Sequence, residues 1–105
     1  MSGDDQEQQS EQTEEIEILR VQVGQRGVYS VVNRKTGEVE CGEVEQSGLE
    51  RCLDRAHKQS TQRGRRAVVL IEPSEKSAVQ HTVNVLDICQ RLGIPKNINK
   101  TPLQL

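Results

Sequence analysis

Residues 66–94 read RAVVLIEPSEKSAVQHTVNVLDICQRLGI, and the order of their parts decides the fold. Ala67-Val68-Val69-Leu70-Ile71 is an apolar, β-branched run of strand length, with the composition of a strand buried on both faces. Pro73 ends ladder pairing there, because proline has no amide hydrogen to donate. Ser74 and Ser77 both suit a helix N-cap, and Gln80 follows Ser77 at capping-box spacing. Beyond them Val79, Val83, Leu86, Cys89 and Leu92 recur at steps of four and three, which predicts one apolar stripe of an α-helix. Val85 and Ile88 widen that stripe. Gly93 stands where a left-handed C-cap is wanted, with Ile94 placed as its hydrophobic contact. A strand, a tight turn and an amphipathic helix make half of a layered unit of helix on sheet.

The rest of the chain has to complete that unit with limited means. At 105 residues it has length for one domain, and only 32% of it is apolar. Tyr29 is the single aromatic residue, so the core must be a small one of Val, Ile and Leu. Such a core predicts modest stability, or support from a partner subunit. No run approaches the roughly 20 apolar residues of a membrane helix, and no secretory signal is visible, so the sequence as it stands reads as soluble.

Charge is distributed unevenly. Residues 1–15 hold Asp4, Asp5, Glu7, Glu11, Glu14 and Glu15 without a basic residue, whereas the remainder carries 14 basic against 10 acidic residues. With no apolar residue after Met1, residues 1–15 are expected to be a disordered acidic tail or linker, and residues 16–105 the folded domain. Glu15-Ile16-Glu17-Ile18-Leu19-Arg20-Val21-Gln22-Val23 alternates as a half-buried strand does. After a glycine turn at residues 24–27, Val28-Tyr29-Ser30-Val31-Val32-Asn33 predicts the second arm of a hairpin. Glu38-Val39-Glu40-Cys41 reads as a minor edge strand. Ser47-Gly48-Leu49-Glu50 has capping-box spacing at the start of a helix with a stripe of Leu49, Cys52, Leu53 and Ala56, closed by Gly64. The short polar segment after Pro95, residues 97–101, predicts a last edge strand. The resulting order, β-β-α-β-α-β with two helices on one face of a mixed sheet, is an α+β fold.

Candidate chemistry is sparse. His57 and His81 lie on predicted helices away from the apolar stripes and read as solvated residues; neither has a second ligand at metal spacing. Cys41, Cys52 and Cys89 show no CxxC pattern. Cys52 and Cys89 fall on helix stripes and read as small core residues, with a disulfide or a reactive thiol as the alternative. Arg63-Gly64-Arg65-Arg66 reads as a solvated basic turn. A nucleic-acid surface is the rival reading, and it lacks the aromatic platforms that single strands stack on. Glu72-Pro73-Ser74 ends the central strand, where open sheets often hold ligands, and serves equally as a cap and turn. No catalytic constellation and no cofactor site follows from these residues.

The central unit resembles a known family. Its strand, short polar turn, Val83-Asn84-Val85-Leu86-Asp87 and Leu92-Gly93-Ile94 are similar, at the same spacing, to the periplasmic domain of the ExbD/TolR biopolymer transport proteins. The likeness covers residues 16–101, including a Gly/Tyr strand at residues 27–32 and helix leucines at 49 and 53. Ser74 and Val79 depart from the aspartate and tyrosine common there. The family's single membrane helix, with its proton-linked aspartate, is missing from this sequence, so no residue here can carry the proton-coupling role. The resemblance implies a non-enzymatic component of a proton-motive-force-driven inner-membrane complex. Its implied partners are a second copy, an ExbB/TolQ-like membrane subunit, a TonB- or TolA-like transducer, and the peptidoglycan cell wall.

Two expectations follow for the structure. Leu86 should sit in the core with Asn84 opposite, and Asn97, Ile98, Asn99 and Lys100 should form an edge that pairs with an extended peptide. The competing reading is a cytoplasmic ligand-binding or regulatory domain that uses the turn at residues 72–77.

Overall fold

The computed structural model describes residues 15–99, so the acidic segment before Glu15, as well as Lys100 and everything after it, lies outside the described residues. Seven elements follow one another: β1 (Glu15–Val23), β2 (Tyr29–Asn33), β3 (Val39–Val44), α1 (Gln46–Gln62), β4 (Arg65–Pro73), α2 (Val79–Leu92) and β5 (Lys96–Ile98). The strands form one sheet in the order β3-β2-β1-β4-β5. β1 is its middle strand. It runs antiparallel to β2, with Val23 opposite Tyr29, and parallel to β4 from Glu15↔Arg65 to Val23↔Pro73. β4 and β5 are parallel, which a tight turn cannot achieve, and α2 provides the crossover. The expected α+β arrangement is present, with the minor edge strand realised as β3.

Both helices cover the same face. The core is Leu19, Val21 and Val23 from β1, Tyr29 and Val31 from β2, and Ala67, Val69 and Ile71 from β4. Against these pack Leu49, Cys52, Leu53 and Ala56 of α1, Val85, Ile88 and Cys89 of α2, and Ile94. β4 is therefore buried on one face and not on both. Val68 and Leu70 point to the opposite side, where they are only half-buried, beside Ile18 and Arg20 of β1, with Val32 of β2 beyond Arg20. Neighbouring side chains on this face shield one another, and among the described residues no helix packs over them.

The phase of β1 carries the main surprise. Its alternation changes step between Ile18 and Leu19, and the fold takes the phase of Leu19, Val21 and Val23. Ile16 is thereby turned to solvent, and Glu17 is carried into the core side, where it is 1% exposed.

Helix ends follow the expected glycines more closely than the expected caps. Gly64 (φ 72°) and Gly93 (φ 73°) are both left-handed, the conformation glycine adopts without a Cβ penalty. Ile94 folds back beneath α2, its amide donating to the carbonyl of Cys89 at 2.9 Å. At the N-termini the serines do not cap. α1 starts one residue before Ser47 with Glu45 at the cap position, and α2 starts after Ala78, neither with a side-chain cap. The Ser77 hydroxyl instead donates to the Ser74 carbonyl and tightens the turn.

α2 is also rotated from the expected stripe. Val79 is 79% exposed and Val83 is exposed too, whereas Val85, Ile88 and Cys89 are buried and Leu86 lies half-buried at the margin. The stripe that meets the sheet is His81, Val85, Ile88, Cys89 and Leu92. His81 fixes this rotation: its ring stands edge-on to Tyr29 at 6.4 Å, and its Nε2 lies 3.1 Å from where a Cβ on Gly27 would be. It is a packed residue and not a solvated one.

Cys41 of β3 and Cys52 of α1 form a disulfide, and Cys89 is a buried free thiol. The burial expected of Cys52 and Cys89 holds; the bond from Cys52 to the edge strand is the part the helix stripe did not contain.

Candidate functional site

Among the described residues β5 is the last strand of the sheet, bonded to β4 on one side and without a described neighbour on the other. Lys96, Asn97 and Ile98 lie beside Val69, Leu70 and Ile71. The Pro95 carbonyl accepts from the Val69 amide at 2.9 Å, and the Asn99 amide donates to the Ile71 carbonyl at 2.8 Å. Backbone groups alternate direction along a strand. With residues 95 and 99 turned inward, those of Asn97 also face β4, and the amides and carbonyls of Lys96 and Ile98 face outward. Ile98 is 37% exposed, and Asn97 and Asn99 are exposed beside it. Three of the four residues expected at this edge are thus together on it, and Lys100 lies outside the described residues.

An ion pair steadies the far end of this edge. Arg20 of β1 grips Glu72 of β4 through two hydrogen bonds, 2.9 and 3.0 Å long. The Asn99 amide group leans on the same carboxylate at 3.4 Å. The Arg20 guanidinium beside it holds the Glu72 carboxyl below the usual carboxylate range, although partial burial opposes the shift. Glu72 therefore ties β1, β4 and the end of β5 into one frame. In the turn that follows, the amide and the hydroxyl of Ser77 both donate to the Ser74 carbonyl.

At the opposite end of the sheet, Glu17 organises the basic cluster. It accepts the Ser60 hydroxyl, two bonds from Arg63 at 3.0 and 3.1 Å, and one from Arg65 at 2.9 Å. Arg65 also reaches Glu15 at 2.8 Å. Burial pushes the Glu17 carboxyl up, but the Ser60 hydroxyl and the two guanidiniums outweigh burial and bring it down to about 2. Arg63 and Arg65 serve a buried carboxylate and are not a purely solvated turn. Next to them His57, Thr61, Arg65, Arg66 and Pro95 line a hollow of about 320 Å³ at the entry to β5.

Among the described residues no group of three or more His, Cys, Asp and Glu gathers as a metal site, and no helix is long and apolar enough to cross a membrane. The other edge of the sheet, β3, is blunted. Its pairing with β2 shifts register twice, Glu43 takes φ 44°, and the strand carries Glu40 and Glu43.

Comparison with protein families decides the affiliation. The model described as "Biopolymer transport protein ExbD/TolR" matches residues 3–101. The chain belongs to the ExbD/TolR family. It is thereby a component of the biopolymer transport type. A comparison with curated proteins gives no match. The family match reaches back to residue 3 and so covers most of the segment expected to be a tail. What marks this ExbD/TolR domain structurally is one open, regular sheet edge at β5 and one irregular, disulfide-bound edge at β3.

Proposed function

We propose that this domain is a non-enzymatic periplasmic module of a proton-motive-force-coupled inner-membrane transport complex, which dimerises and takes an extended peptide of a TonB- or TolA-like transducer along β5. One observation carries the reading: the outward amide and carbonyl groups of Lys96 and Ile98, on a strand whose inner side is already bonded to β4. Main-chain pairing supplies affinity with little demand on side chains, which suits a segment as plain as Lys-Asn-Ile-Asn. The Cys41–Cys52 bond fits an oxidising compartment such as the periplasm and weighs against the cytoplasmic ligand-binding reading. A membrane subunit of the ExbB/TolQ type would be met through a membrane helix in a longer polypeptide, and peptidoglycan is a further partner of this class.

The test uses the directional pattern of β5. Ile98→Pro removes an outward amide, whereas Asn97→Pro removes one that bonds β4. In NMR titrations with peptides from TonB- or TolA-like linkers, wild type should shift around residues 96–99, and Ile98→Pro should lose the response while keeping its fold. Analytical ultracentrifugation over a concentration series reads self-association. Absence of shifts at residues 96–99, or full peptide binding by Ile98→Pro, would refute the edge as the site.

A further inference from the structure

We propose that the hollow at the head of β5 is a docking groove for the acidic segment that precedes β1 in the same chain, with Glu11 and its neighbours laid along β4 beside Arg65 and Ala67. The proposal does not rest on peptide binding at β5.

The groove exists because β5 starts late. β4 begins at Arg65, but it meets β5 only from Val69 onward. The Val69 amide donates to Pro95 and the Ile71 carbonyl accepts from Asn99, so the odd-numbered residues of β4 turn their backbone groups to that side. Arg65 and Ala67 follow the same alternation, and no strand lies beside them there among the described residues. Pro95 holds the position from which the Ala67 carbonyl would be met, and proline has no amide hydrogen to give. Among the described residues no backbone bond joins the Ala67 amide to the segment before Pro95 either. Ala67 is nonetheless only 2% exposed. A backbone group that is neither solvated nor paired costs free energy, so the groove favours an occupant that brings amides and carbonyls of its own. There is room for one. Gly64 and Gly93 both line the hollow, and a Cβ on either would touch nothing within 4 Å.

Charge and reach single out the occupant. Among the described residues, Arg63, Arg65 and Arg66 stand at this end of the sheet against Glu15 and Glu17, three guanidiniums to two carboxylates. The segment before Glu15 carries Asp4, Asp5, Glu7, Glu11 and Glu14 and no basic residue. It joins the fold at the same end, because Glu15 lies opposite Arg65 in the β1–β4 ladder and is ion-paired to it at 2.8 Å. From β1 to the open side of β4 is two strand spacings, about 10 Å. Three or four extended residues span that distance. Residues 11–14 make the crossing, and Glu7, Gln9 and Glu11, which share one side of an extended segment, come alongside β4. With no apolar side chain after Met1, this segment binds through main-chain pairing and charge, and those are what the groove offers. The short tether keeps its local concentration high, an advantage that a free peptide of the same chemistry lacks.

The experiment uses the full chain and a variant whose acidic segment is neutralised by Asp4→Asn, Asp5→Asn, Glu7→Gln, Glu11→Gln and Glu14→Gln. These changes leave every described residue as it is. Amide hydrogen exchange is followed by NMR at Ala67, and a nitroxide is placed through Ser10→Cys in both backgrounds. The label goes to that position because Cys41 and Cys52 are bonded to each other and Cys89 is buried. The Ala67 amide should exchange at least roughly tenfold more slowly with the native segment than with the neutralised one. The nitroxide should broaden the amides of Gly64 to Ala67 and of Gly93 more strongly in the native background. Equal exchange at Ala67 in the two proteins would overturn the docking. Equal broadening would overturn it too, since nearness of the tether alone would then explain the contact. Broadening that appears only between a nitroxide-bearing copy and a separate ¹⁵N-labelled copy would give the groove to a second molecule and overturn docking within the chain.

Discussion

Replacing Glu17 by Gln removes one charge from the core side of β1 while preserving its shape. The carboxylate is almost wholly buried and is met by Ser60, Arg63 and Arg65, which hold it at about 2 against an ordinary value of 4.5. At 1.36 kcal/mol per pKa unit, that depression corresponds to about 3 kcal/mol of stability. The folded state favours the ionised form, so the contribution is fully present above about pH 4.5 and is lost as pH falls through about 2. Urea denaturation followed by circular dichroism at a series of pH values, for wild type and Glu17→Gln, reads this directly. The stability difference should be about 3 kcal/mol near pH 6 and shrink to a few tenths near pH 2. A difference that stays constant from pH 6 to pH 2 would refute the reasoning, since the loss would then reflect packing and not charge.

Other positions give sharper contrasts than their sequence context suggests. Ile88→Ala should cost roughly 2–5 kcal/mol in chemical denaturation, because Ile88 is fully buried between α2 and the sheet. Val79→Ser, at the exposed first turn of the same helix, should cost less than about 0.5 kcal/mol; equal losses would mean α2 is rotated otherwise. Gly27→Ala should lower the melting temperature, since its φ of 75° disfavours a side chain by about 1–2 kcal/mol and the new methyl meets His81. Measured against His81→Ala alone, Gly27→Ala should cost less than it does in wild type, and an unchanged cost would show that the methyl does not meet the ring.

The sequence was informative wherever a local rule met no competitor. β4, the turn after it and the glycine at the end of α2 were legible because aliphatic run, proline and left-handed glycine all point the same way. β1 was half legible. Its alternation contains both Ile16/Ile18 and Leu19/Val21/Val23, and nothing local says which phase faces the helices. The answer lies in Ser60, Arg63 and Arg65, which sit more than forty residues away and compensate the carboxylate that one phase buries. An acidic residue inside an apolar alternation, together with an arginine pair later in the chain, is the signal that points to them. The rotation of α2 was hidden for a similar reason, because Val79 and Val83 match the stripe as well as His81 does until Tyr29 and Gly27 are placed beside it. The pairing of Cys41 with Cys52 depends on β3 lying beneath α1, a tertiary fact that cysteine spacing does not contain. At the candidate site the polar shortness of residues 97–99 was readable. The frame of Arg20 and Glu72 behind them was not, since it joins residues 52 positions apart.

The parallel register of β1 with β4 has a mechanical consequence. Whatever precedes Glu15 is joined to the middle strand of the sheet, and a peptide on β5 would lie on its outermost strand. β1, β4 and β5 all run in one direction, so a pull on the start of β1 and an opposing pull at the far end of β5 act along the strands. Such a load falls on the hydrogen bonds of the ladder together, in shear. A load applied across the strands would open them one pair at a time, as a zip opens. A pull between the start of β1 and the end of β5 is thus resisted along the strands, whereas a sideways pull on an edge strand is resisted one pair at a time.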